Sequence, residues 1–116
     1  MDFEKIIKNY IDTTEQRLEK GLDKASQKMQ KALEENSPYD AQNTGVHYKD
    51  SWETVSNPKR RRVHNTKYVT DSDGNEIPLS NILEYGEARD ETAHIRKTYD
   101  SLEKELEKII KTELKG

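Results

Sequence analysis

Four groups of residues in this 116-residue chain have types and spacings that chemistry could use. The first is Asp71-Ser72-Asp73-Gly74-Asn75-Glu76, with Asp71, Asp73 and Asn75 at alternate positions. A calcium loop begins this way, but it also needs glycine at its sixth position and a bidentate acid at its twelfth. Counted from Asp71, those positions hold Glu76 and Ile82, so the stretch reads as a hairpin turn in which Gly74 supplies a positive φ. The second group is His47, His64 and His94, which show no HxH, HxxH or HExxH spacing, so no metal site is expected. The third is Lys59-Arg60-Arg61-Arg62, with His64 and Lys67 nearby. It could neutralise several phosphates. Strand alternation would divide it between two faces, however, and a long arginine stem can cover apolar surface while its head stays wet. A solvated or subunit-facing strand is the plainer reading. The fourth is the set of 23 acids, whose chance pairings mean nothing alone. The chain has no G-x-S-x-G, no phosphate loop and no dinucleotide fingerprint, so the expectation is a non-enzyme with no catalytic residues and no cofactor.

These residues need elements to position them, and the composition limits what the elements can bury. Charged residues make up 37% of the chain and hydrophobic residues only 30%, against about 25% charged in typical soluble domains. Leu, Ile, Val and Phe together fall below the ~20% at which disorder becomes a live alternative. The net charge of −3 argues against wholesale disorder, because the charges nearly cancel. A single domain with a lean core and long solvated helix faces is expected, one that completes its core against a partner or a copy of itself. There is no cysteine, hence no disulfide framework. No run reaches the ~20 apolar residues of a membrane span, and the N-terminal MDFEKIIKNY lacks the apolar centre of a signal peptide. A soluble intracellular protein is the default expectation.

The spacing predicts an α+β fold. Residues 2–35 read as one long helix, with Phe3, Ile7, Ile11, Leu18, Leu22, Ala25, Met29 and Ala32 mostly three, four or seven apart. Asp2 can cap its start, Gly21 marks a bend or a close approach, and Asn36-Ser37-Pro38 ends it. Residues 36–45 read as loop. The β region is 46–77: a small antiparallel sheet of three to four strands, opened by Val46-His47-Tyr48. It continues with 51–55, a turn at Asn57-Pro58, then 60–64, 67–70 and a return at Glu76-Ile77. Residues 92–115 read as a second long helix, capped by Thr92 or Asp90, which packs on the sheet and the first helix.

Between sheet and last helix lies Leu79-Ser80-Asn81-Ile82-Leu83-Glu84-Tyr85-Gly86, an apolar burst too short for an ordinary helix. It reads as a single helical turn over 79–86, capped by Ser80 and closed by Gly86 in the left-handed conformation. Ile82, Leu83 and Tyr85 are expected to tuck into the core. Trp52, the sole tryptophan, is either an interface anchor or a fourth core residue.

Several landmarks occur together and in order. They are Thr44-Gly45 before Tyr48-Lys49-Asp50-Ser51-Trp52, then Val63-His64-Asn65-Thr66-Lys67, then Leu79 to Gly86, then Ala93-His94-Ile95 opening a charged helix. This pattern resembles the small neck or tail-completion proteins of long-tailed bacteriophages and prophages. The likeness covers nearly the whole chain, and LSNILEYG at its distance before AHI is the most specific part. Two features depart from the family pattern: Glu87 stands where a histidine often follows the glycine, and Ala93 where a proline precedes the His-Ile pair. The resemblance implies a structural subunit of the head–tail connection, made in the host cytoplasm and then carried in the virion. Its expected partners are copies of itself, with a ring as one arrangement, and other neck or tail proteins, with DNA at most passing through the assembled channel and no membrane. It points to Glu84, Gly86, Glu87 and Arg89 as a subunit contact, with Arg60 and Arg62 as further candidates. The competing expectations are a small nucleic-acid-binding or regulatory module using 59–62, and a stand-alone helical partner protein.

Overall fold

A computed structural model describes residues 2–39 and 45–116. Part of the expected 36–45 loop, with Thr44, therefore lies outside the described residues. These residues form α1 (Phe3–Asn36), a 3-10 turn (Tyr48–Asp50), β1 (Trp52–Asn57), β2 (Arg60–Asn65), β3 (Tyr68–Thr70), β4 (Glu76–Pro78), α2 (Leu79–Tyr85), α3 (Arg89–Thr92) and α4 (Ile95–Lys115). The fold is α+β, with α4 antiparallel to α1 and the β1–β2 hairpin laid against α1. It is elongated, 68 × 29 × 23 Å.

α1 begins where expected, because the Asp2 carboxylate accepts the Lys5 amide at 3.1 Å. It is uninterrupted at Gly21. A Cβ there would sit 3.2 Å from the Ile110 Cα, so the glycine lets α1 and α4 approach closely. Ion pairs Lys24–Glu113 and Lys28–Glu105 flank that crossing. The helix stops at Asn36, just before Ser37-Pro38.

The strands fall close to their expected positions but divide into two hairpins. β1 pairs with β2 from Trp52↔Asn65 to Asn57↔Arg60, and β3 pairs with β4 through Val69↔Ile77. The ladder breaks at Thr66 because the Asn65 side chain takes the Lys67 amide at 2.9 Å while its own amide reaches the Tyr48 carbonyl at 2.7 Å. Val46-His47-Tyr48 does not open a strand. Ser51 donates its hydroxyl back to the His47 carbonyl at 3.0 Å, which winds the segment into the 3-10 turn.

The core is small. Leu33, Tyr48 and Trp52 form its centre, with Met29, Val63, Leu79, Leu83 and Ile95 packed around them. Leu33, 2% exposed, is the one fully buried large side chain among the described residues. Trp52 belongs to this core. Ile82 and Tyr85 do not: they are 41% and 77% exposed. α2 is amphipathic across two turns, so Leu79 and Leu83, four apart, face inward and carry Ile82 and Tyr85 outward.

Candidate functional site

The reversal from α2 through α3 to α4 is held by one carboxylate. Glu84 is buried, 9% exposed, and its Oε1 accepts the amides of His94 and Ile95, the latter at 2.7 Å. Its Oε2 accepts the Arg96 amide at 3.3 Å. These are first-turn amides of α4, which have no partners inside their own helix. α4 thus starts at Ile95, not at 92, and its cap comes from another helix; neither Thr92 nor Asp90 caps it. The Thr92 hydroxyl instead donates to the Leu83 carbonyl at 2.7 Å and the Ala88 carbonyl at 3.1 Å. Burial works against ionisation of Glu84, but the three amides and the nearby His94 outweigh it and hold the carboxyl below its ordinary pKa.

His94 joins this cap to the core. Its Nδ1 lies 2.8 Å from the Thr92 carbonyl, which can only accept, so Nδ1 carries the proton. Nε2 then accepts from the Tyr48 hydroxyl at 2.8 Å. Burial, reinforced by the Glu84 charge, pushes the Tyr48 phenol well above its ordinary pKa, which keeps it a donor. The Tyr48, Trp52 and His94 rings meet edge to face at 5.3–6.1 Å. Trp52 donates its indole N–H to the Ser37 hydroxyl at 2.8 Å. With Tyr48 and His94 each 5% exposed, this network fastens six elements together.

Gly86 is required here for a different reason than expected. Its backbone is extended, φ −77° and ψ −174°, not left-handed. A Cβ would lie 2.4 Å from the Ile82 carbonyl oxygen, so only glycine fits against the end of α2. Ser80 makes no capping bond; Pro78 stands at the cap position. Of the residues expected at a subunit contact, Glu84 is occupied inside the fold. Glu87 and Arg89 are exposed beside Tyr85 and Ile82, and the Arg89 guanidinium reaches the Gly86 carbonyl at 3.4 Å.

The basic cluster divides as strand alternation requires. Arg60 and Arg62 are exposed on one face of β2, and Arg62 lines a recess of about 300 Å³ between the two hairpins and α2. Arg61 faces α1, where its Nε meets Asp23 at 2.7 Å and its Nη2 meets Glu19 at 2.5 Å. The Arg61 side chain is 7% exposed. Hydrogen bonding to Arg61 holds the Glu19 carboxyl below its ordinary pKa. In the sequence Arg61 is one of a run of four cations; in the fold it pins the hairpin to α1. The signal was available in Glu19 and Asp23, four apart on one helix face. The Asp71 turn is an ordinary hairpin: the Asp71 carboxylate accepts the amides of Asp73 and Asn75, both at 2.9 Å, and Gly74 has φ 83°. Among the described residues no cluster of three or more His, Asp or Glu could hold a metal, and no helix is long and apolar enough to cross a membrane.

No protein-family model, no curated protein and no solved structure matches this chain.

Proposed function

We propose that this protein is a structural subunit of a phage head–tail connection or tail-completion assembly and works by protein contacts, without catalysis. The observation that carries the reading is the reversal at 79–95. Its backbone is locked by Glu84 and Gly86, while Ile82, Tyr85, Glu87 and Arg89 stand exposed on its outer side. A rigid turn that displays apolar side chains with charges beside them has the makings of an interface centre with a polar rim. The landmarks around LSNILEYG and AHI support the same reading by resemblance. In such an assembly one face of each subunit would meet a different face of the next, the arrangement that closes into a ring. The partners are further copies and neighbouring neck or tail proteins.

The nucleic-acid reading loses support from the internal neutralisation of Arg61, which leaves Arg60 and Arg62 as the outward cations of β2. Deleting the gene from its phage or prophage tests the main reading. The expected result is filled heads and finished tails that fail to join, seen by electron microscopy. Normal infectious particles would refute it. Tyr85→Glu with Arg89→Glu should reproduce the deletion while leaving the circular dichroism of the purified protein unchanged.

A further inference from the structure

The N-terminal end of α1 carries an apolar stripe that nothing among the described residues covers. Phe3, Ile6, Ile7, Tyr10 and Ile11 are 69%, 51%, 58%, 72% and 48% exposed. They are among the largest apolar side chains of a chain that has few. Ile7, Thr14, Gly21 and Lys28 stand seven apart, two turns each, and so lie along one line of the helix. Gly21 touches Ile110 and Lys28 pairs with Glu105, so this line runs beneath α4. Ile7 continues it, flanked by Phe3 and Ile11 four residues to either side. Gly116 lies against the Arg17 guanidinium, so α4 covers the stripe from about Arg17 onward. The remaining α1 residues span roughly 21 Å at 1.5 Å each. They form the same helix-accepting face as the α1–α4 interface, without its helix.

We propose that this face pairs with the same face of a second copy, antiparallel, about a two-fold axis near Ile7. In that register Phe3 meets Ile11 of the second copy and Ile7 meets Ile7. The second α1 then lies along the same line of the first as α4 does. Exposed Glu4 and Lys8 lie on one flank of the stripe, and antiparallel pairing sets each beside its opposite in the other copy, giving two equivalent ion pairs. The helix dipoles also oppose. Five large apolar side chains per copy, each hiding on the order of 100 Å², bury about 1,000 Å² in total. That sits just below the smallest stable specific interfaces, in the size class of weak, transient pairs. It is closed and symmetric, and it does not depend on the assembly reading: it concerns the free protein, whereas deletion concerns the particle.

Sedimentation of the full chain from roughly 5 µM to roughly 500 µM should show a monomer–dimer equilibrium. Ile7→Asp, which sets two carboxylates across the axis, should raise the dissociation constant at least tenfold, an effect of ~1.4 kcal/mol or more. Glu4→Lys should also weaken the dimer, and Glu4→Lys with Lys8→Glu should restore it. The chain has no cysteine, so disulfide trapping is clean. Ile7→Cys should cross-link with itself, and a mixture of Phe3→Cys and Ile11→Cys chains should give mostly the mixed disulfide. A monomer at every concentration would overturn the proposal and leave the stripe to a different protein. So would a dimer indifferent to Ile7→Asp, or Phe3→Cys chains that cross-link fastest with themselves, the mark of a parallel pair.

Discussion

The two halves of α1 share one helix and one apolar stripe, yet they meet opposite surroundings. From Leu18 to Leu33 the stripe lies under α4 and the β1–β2 hairpin, with Gly21 against Ile110, Arg61 against Glu19 and Asp23, and Leu33 against Tyr48 and Trp52. From Phe3 to Ile11 residues of the same types stand in water. The difference does not come from composition. It comes from which part of α1 lies against α4 and the hairpin. Burial, not helix propensity, supplies most of a helix's stability, so the two halves should behave as different proteins when challenged.

Four experiments test this contrast. Leu33→Ala removes the most buried side chain and should cost about 3 kcal/mol in urea unfolding, whereas Ile6→Ala, far outside the core, should change stability by less than ~0.5 kcal/mol. Comparable losses would erase the distinction. Gly86→Ala drives a Cβ into the Ile82 carbonyl and should cost about 2 kcal/mol or shift α3, measured as a lower Tm.

Glu84→Gln should cost about 1 kcal/mol near neutral pH, since one acceptor survives while the charge on the cap is lost. It also tests the acid limb. The Glu84 pKa is lowered in the fold, so its contribution is present above the ordinary value of 4.5 and is lost as pH falls through the folded value. Glu19 and Glu113, lowered by hydrogen bonds to Arg61 and to Lys24, act in the same direction. The variant should therefore lose less stability than the parent between roughly pH 5 and pH 3. An unchanged slope would remove Glu84 from the account.

Lys59→Gly should have the smallest effect. Lys59 sits at φ 60° in the β1–β2 turn, a strained region for any residue with a Cβ. Glycine there should be neutral or stabilise by up to ~1 kcal/mol, because the exposed Lys59–Glu15 pair contributes little.

Most of the element order was legible in the sequence. Periodicity placed α1, α4 and the strand positions within a few residues, because side-chain spacing is a local property of the backbone. The candidate site was legible only in part. Gly86 and the 79–86 burst stood out, but Glu84 read as a surface contact and proved to be the cap of α4. Nothing local could have revealed it: the amides that donate to it lie ten to twelve residues downstream, and the chain must reverse before they meet. Arg61 looked like its two neighbours until α1 came alongside. Ile82 and Tyr85 looked like core because an apolar burst in a lean chain invites that reading.

The sequence by itself determined that this chain would build two long amphipathic helices around a thin β region, with few apolar residues and no reactive motif. Those properties follow from residue type and spacing along one strand or one helix. Which side of each element is used was set by packing between elements. It turned Glu84 inward and Tyr85 outward, made Gly86 a steric requirement, and left Phe3 to Ile11 uncovered. Such choices depend on which segments lie side by side, and packing geometry rather than local preference sets that.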